Sequence, residues 1–255
     1  MKDLPSSQPN KRPFLIRIGK ALRPVFNKLI ARDSLIPNTP VLDPDIFPWT
    51  QILQRYWQDI AREFHTLHAA GTAIPPLRAL SPDHTRIAPD TRWKSFFLYG
   101  YGVKVLENCA RMPKTAELIS RIPDLNSAFF SVLEPGAVIP PHYGVTKGLI
   151  TCHLGISVPR NANDCWIRVA GQKLVWHNGQ CLLFDDTYQH DVHNNTSDTR
   201  IVLLMQIRRP TKGIGKIVQN LFLNGIRHSA FVKDAQHNIA QWNQLQDTMK
   251  AAKTR

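Results

Sequence analysis

With 255 residues, 43% of them hydrophobic, and a formal net charge of +13 when histidines are neutral, the chain can bury one sizeable core and is too apolar for wholesale disorder. The charge favours polyanions, either nucleic acid or an anionic membrane face, without choosing between them. Cys109, Cys152, Cys165 and Cys181 show no C-x-x-C spacing, which excludes a small disulfide scaffold; with no apolar leader and no run of about 18 apolar residues, a reducing cytoplasmic setting without a spanning helix is expected.

Residues 1–12 are polar. Over residues 13–31, Leu15, Ile18, Leu22, Val25, Phe26 and Leu29 share one helical face, opposite Arg17, Lys20, Arg23 and Lys28, and Pro24 is expected to kink the helix. A basic amphipathic segment of this type is either a membrane-surface anchor or a helix docked on its own domain, and the pattern leaves both open. Residues 35–45 carry three prolines and form an extended strap. Segment and strap make up residues 1–44, ahead of a single domain over residues 45–255.

Residues 47–70 have the spacing of one amphipathic helix (Ile52, Leu53, Trp57, Ile60, Phe64, Leu67), residues 75–90 form a proline-rich loop, residues 95–101 a strand, and residues 115–121 a helix. From Ser127 onward the character changes. Short β-rich runs at 128–133, 149–158, 165–169, 173–176, 181–184 and 201–207 are separated by Gly, Pro, Asn and Asp clusters, the signature of an antiparallel sandwich or barrel. Past Pro210 the helical pattern returns with Ile214, Ile217, Val218, Leu221 and Phe222. The expected fold is mainly β with flanking helices, the β core covering about residues 128–210.

Of the ten histidines, His65, His68, His84, His228 and His237 fit solvated or hydrogen-bonded roles. His142 is presented after Pro140-Pro141 at a strand end, and His190 follows a strand and two aspartates. Two imidazoles on facing strands suit a divalent transition metal. A facial triad would place a carboxylate two residues after the first histidine, where this chain has Gly144. Either two histidines and water hold the metal, or no metal is held. Alternation in the strand puts Thr151, His153 and Gly155 opposite Ile150, Cys152, Leu154 and Ile156, so His153 points to a polar lumen. Arg200 heads the apolar run Ile201 to Met205; pointing inward it needs an anionic partner such as a bidentate carboxylate, and otherwise it turns to solvent. Asp185 and Asp186 are an acid/base pair or a turn and cap, and Cys152 and Cys165 read as small core residues.

Six motifs occur in order: Ser131-Val-Leu-Glu-Pro-Gly136, His142-Tyr-Gly144, His153-Leu-Gly-Ile-Ser-Val-Pro159, Trp176-His-Asn-Gly179, Phe184-Asp-Asp-Thr-Tyr-Gln-His190 and Asn195-Thr-Ser-Asp-Thr-Arg200. Together they resemble the aspartyl/asparaginyl β-hydroxylase family of Fe(II)- and 2-oxoglutarate-dependent dioxygenases, which includes bacterial lipid acyl-chain hydroxylases. Weaker similarity extends upstream through Trp93 to Leu98 and Pro113 to Ile119. The resemblance implies a double-stranded β-helix, a jelly-roll or cupin-like core, with a two-histidine iron site that tolerates Gly144. His142 and His190 match the iron ligands, and Arg200 the arginine that pairs with the distal carboxylate of 2-oxoglutarate. Ser131 and His153 match co-substrate contacts, and Asp186 a carboxylate beside the iron. The chain departs from the family at Thr151, where an arginine is frequent.

The implied activity couples 2-oxoglutarate decarboxylation and O₂ to hydroxylation of an unactivated C–H bond. The positive charge, the basic helix and Thr151 favour an anionic lipid acyl chain, met at the inner face of the cytoplasmic membrane through residues 13–31. The alternatives are β-hydroxylation of Asp or Asn in a peptide, and a metal-free cupin-like module that binds polyanions. No aromatic-basic or helix-in-groove pattern points to nucleic acid.

Overall fold

The computed structural model describes residues 14–253. The chain enters through α1 (Phe14–Arg32), β1 (Val41–Leu42), α2 (Trp49–Arg55), α3 (Trp57–Ala69) and the short α4 (Leu77–Leu80). Next come β2 (Trp93–Gly100), β3 (Val103–Lys104), α5 (Leu106–Arg111) and α6 (Pro113–Ser120). The β-rich part holds β4 (Leu125–Leu133), β5 (Val138–His142), β6 (Leu149–Ser157), β7 (Cys165–Val169), β8 (Gln172–Val175), β9 (Cys181–Phe184), β10 (His190–Asn194) and β11 (Arg200–Arg208). The chain closes with α7 (Gly213–Arg227) and α8 (Ala230–Lys253).

Two antiparallel sheets face one another. The larger runs β1-β9-β6-β11-β4-β2-β3 and the smaller β5-β10-β7-β8. This is the expected mainly β jelly roll with helices outside. Strand alternation divides the apolar residues between two cores. Ile150, Cys152 and Leu154 of β6, with Ile201, Leu203 and Met205 of β11, pack outward against Leu53, Ile60 and Phe64 of the helices. Leu133, Ile139, Ile167, Val169, Trp176, Phe184 and Val202 fill the space between the sheets. The interior side of the large sheet also carries buried Ser131, Thr151, His153 and Arg200.

The structure corrects the sequence expectations in two places, the 47–70 helix and the strap, and adds detail in others. The single helix expected over 47–70 is two, because Tyr56 (φ −104, ψ 16) leaves helical geometry between α2 and α3; Trp57 then lies against Gly179, where a Cβ would meet its ring. The strap contributes a strand, β1, paired with β9 (Val41 with Phe184). His142 ends a strand whose two prolines are tolerated because β5 is the edge of the small sheet. His190 follows β9 and the two aspartates, as expected, and itself begins a further strand, β10, which pairs with both β5 and β7. Among the described residues α1 runs through Pro24 as one helix. Its Leu15, Ile18, Arg17 and Lys20 side chains lie outside what the structure describes. Further along, Phe26 meets Phe222 of α7 edge-on at 5.9 Å and Ile30 is fully buried.

Candidate active site

Pairing of β5 with β10 sets His142 opposite His190 in register, and their ring centroids stand 4.0 Å apart. Each Nδ1 lies 2.9 Å from the backbone carbonyl two residues earlier, Pro140 for His142 and Tyr188 for His190. A carbonyl only accepts, so each Nδ1 carries the hydrogen and each Nε2 is left as a bare lone pair. Burial and the neighbouring His190 push the His142 pKa down to about 4, and burial lowers that of His190. Two neutral imidazoles with oriented Nε2 donors are the form in which histidine binds a metal.

A line of rings leads from this pair into the barrel. Phe184 stands 5.5 Å from His190 and 5.2 Å from His153, Trp176 lies 6.0 Å beyond, and the Arg200 guanidinium sits over Trp176 at 4.8 Å. The Trp176 indole can only donate, so at 3.2 Å His153 Nδ1 is the acceptor and its Nε2 carries the hydrogen. That Nε2 is buried and has no partner. Burial, with Arg200 and His190 adding positive charge, holds His153 well below the usual histidine range. Trp93 donates to Ser131 Oγ at 3.0 Å, leaving the hydroxyl hydrogen to be donated in turn.

Arg200 is 1% exposed. Its single hydrogen bond, to the Ser131 carbonyl, is long at 3.4 Å, its Nε has no partner, and among the described residues no carboxylate pairs with it. Burial lowers its pKa from the usual guanidinium range to about 10. A buried cation without an anion is unfavourable. The donors that converge here, a guanidinium, an imidazole N–H and a hydroxyl, fit a carboxylate-bearing ligand that extends from the paired histidines.

The two adjacent aspartates have separate surroundings. Asp185 accepts from Thr187 N at 3.0 Å and is salt-bridged by Lys147 at 2.7 Å and by buried Arg209, which is a turn and an ion-pair role. Asp186 accepts from Thr151 Oγ1 and Gln206 Nε2, both at 3.2 Å, while its Oδ1 is buried without a partner. Burial, with Asp185 beside it, raises the Asp186 pKa to about 7. Its carboxylate fills the space beside Gly144: a Cβ at residue 144 would overlap Asp186 Oδ1. The missing carboxylate after His142 therefore has a steric cause, and a different aspartate stands there. Gln206, which with Thr151 holds Asp186 in place, was missed as a site residue, although strand alternation puts it on the interior face; Thr151 was singled out as the family's frequent arginine position, and not as a partner of Asp186. The mouth is basic: Arg86 lies near enough to act on His142, and Arg23 of α1 acts on Asp186 and donates to the Gly144 carbonyl.

The residues singled out in the sequence thus come from both sheets, His142 and His190 from the small one and Ser131, His153 and Arg200 from the large one, with Asp186 in the turn between β9 and β10. The fold and these side chains define a jelly-roll barrel that encloses a histidine pair and an anion-seeking interior. The chain belongs to the aspartyl/asparaginyl β-hydroxylase family, whose profile matches residues 54–210. It is 35% identical over 205 residues to an ornithine lipid ester-linked acyl 2-hydroxylase of Rhizobium tropici, covering 80% of this chain and 73% of that protein. It is 32% identical over 214 residues to the human aspartate β-hydroxylase domain-containing protein 2, covering 76% of this chain and only 56% of that one. Among solved structures, a Pseudomonas putida prolyl-4-hydroxylase overlays 63% of this chain and 88% of its own at a TM-score of 0.39 and 16% identity, a likeness too distant to bear on mechanism.

Proposed function

We propose that this hydroxylase-family chain uses Fe(II) and 2-oxoglutarate to hydroxylate an unactivated C–H bond in the acyl chain of an anionic lipid. The observation that carries the co-substrate is Arg200, a buried cation that no carboxylate among the described residues pairs with and whose Nε has no partner. His142 and His190 would hold the metal through Nε2, and Arg200, His153 and Ser131 would hold 2-oxoglutarate. Iron and co-substrate, when bound, supply activation of O₂, so that one oxygen atom enters the substrate and the other enters succinate as CO₂ leaves.

The chain's own contribution is placement. Backbone carbonyls fix both imidazole tautomers, Trp176 fixes that of His153, and Trp93 aligns Ser131. Phe184, Trp176 and Val202 keep water from the interior. Asp186, held by Thr151 and Gln206, offers an unpartnered oxygen to a proton-bearing group at the histidine pair. The lipid branch draws on the named activity of the Rhizobium relative and on the basic mouth formed by Arg23 and Arg86.

Purified protein given Fe(II), 2-oxoglutarate and an amino-acid-headgroup or phospholipid extract should release succinate and yield lipids heavier by one oxygen atom. Product formation on Asp- or Asn-containing peptides instead would replace the lipid substrate with the peptide alternative. Absence of 2-oxoglutarate binding would leave the polyanion-binding module.

A further inference from the structure

Helices α1 and α7 pack as a pair beside the site, and their outer surface carries no structural duty. In α7 the buried residues Gly215, Gln219 and Leu223 recur every four positions and face the protein. On the opposite stripe Ile214, Ile217 and Leu221 are 56%, 61% and 70% exposed. On α1, Phe26 and Ile30 are committed to packing, yet Leu22 and Val25 are 42% and 54% exposed. The amphipathic helix therefore docks on its own domain and still shows aliphatic surface.

This surface adjoins the mouth of the site. Asn27 Oδ1 of α1 accepts from Lys147 N at 2.9 Å and Arg23 donates to the Gly144 carbonyl, so α1 lies along the loop that leaves His142. In that loop Tyr143 and Val145 are 59% and 57% exposed. Neither helix contains an acidic residue, while Lys28, Lys212 and Lys216 are exposed on or beside them. Clustered aliphatic surface with mainly basic charge around it, the neighbouring Asp33 carboxylate being held by Arg32 and the Gly215 N–H, matches a bilayer with anionic headgroups. A protein partner would be expected to leave at least some acidic residues on such a face.

We propose that the outer face of the α1–α7 pair, with the 143–145 loop, is a docking surface for an anionic lipid bilayer and sets the mouth of the His142–His190 site against the headgroups. The proposal rests on the lipid reading of the substrate and adds α7, a helix far from the N-terminal segment in sequence. Docked this way, the enzyme receives an acyl chain drawn up from the bilayer rather than one carried through water.

The test is co-sedimentation of the full-length protein with phosphatidylcholine vesicles and with vesicles containing phosphatidylglycerol, at low and high salt. The expected result is binding to the anionic vesicles that weakens with salt. Ile217→Ser/Leu221→Ser should reduce it by roughly tenfold or more, and Lys212→Glu/Lys216→Glu should do likewise. Leu245→Ser/Met249→Ser, at exposed α8 positions, should bind as wild type. Undiminished binding by the α7 variant, no wild-type binding to anionic vesicles, or a wild-type dimer in solution that the α7 variant dissolves would each overturn the docking surface. Turnover of detergent-dispersed lipid separates the two ideas: the α7 variant should retain it. Binding through this face without modification of any lipid upholds docking and removes the substrate reading.

Discussion

Replacing Arg200 by Met should have opposite effects on the empty and the co-substrate-bound protein. In the empty protein the guanidinium is 1% exposed and unpaired by any carboxylate among the described residues. Its fall in pKa from the usual guanidinium range to about 10 corresponds to roughly 3 kcal/mol of lost solvation of the charged form. The sign follows from the direction. The folded pKa lies below the unfolded one, so at pH 7 the charged form is penalised, and the penalty fades only as pH rises past about 10. Methionine keeps an unbranched stem on Trp176 and removes that penalty, so the ligand-free variant should be no less stable than wild type in urea. With 2-oxoglutarate the balance reverses. Loss of the partner of a buried carboxylate costs about 3–5 kcal/mol, which is between two and nearly four orders of magnitude in affinity. Calorimetric titration of 2-oxoglutarate into anaerobic Fe(II)-loaded protein, alongside urea melts without ligand, measures both. A variant that loses more than about 1 kcal/mol of ligand-free stability while keeping its 2-oxoglutarate affinity would refute the reasoning and make Arg200 a structural residue.

Gly144→Asp, which restores a carboxylate two residues after His142, should weaken metal binding rather than strengthen it, since Asp186 already fills that space; tighter Fe(II) binding by calorimetry would contradict this. His142→Ala and His190→Ala should each abolish Fe(II) binding while far-ultraviolet circular dichroism stays unchanged, because each ring hydrogen-bonds locally, to backbone within four residues of its own position. Trp176→Phe removes the donor that sets the His153 tautomer and should weaken 2-oxoglutarate binding about tenfold, the size of one lost hydrogen bond; an unchanged titration would mean that His153 does not contact the co-substrate.

The interior of the large sheet was legible because strand alternation is strict. Ile150, Cys152 and Leu154 point one way, so Thr151 and His153 had to point the other, and the structure places them there. The small sheet was harder. β5 reads VIPPH and β10 HDVHN, so neither has an apolar alternation to follow; β5 tolerates its prolines as the edge of the small sheet, while β10 is a strand because it is paired on both sides, by β5 and β7. For Asp186 the residues left an acid/base pair or a turn and cap open, and the resemblance implied a place beside the iron. The proximity of Asp186 to Gly144 depends on a contact between loops 42 residues apart, and no local spacing encodes that. The break at Tyr56 was equally hidden, since the apolar positions on either side of it keep helical phase.

The Arg209–Asp185 pair has a consequence for any attempt to shorten the chain. Arg209 Nη1 also reaches Ser34 Oγ, the Pro37 carbonyl and Asn38 Oδ1 at 3.2–3.3 Å, and Asp185 N donates to the Pro40 carbonyl at 2.9 Å. The strap is thereby buckled to the turn that leads to His190. Cutting at residue 44 would strip a strand from the large sheet and leave the buckle half undone, with a buried arginine short of acceptors, and the histidine five positions after Asp185 would lose its footing. A truncation meant to remove only the N-terminal helix therefore has to end before Ser34, or a loss of activity will report a displaced metal ligand instead of a missing membrane contact.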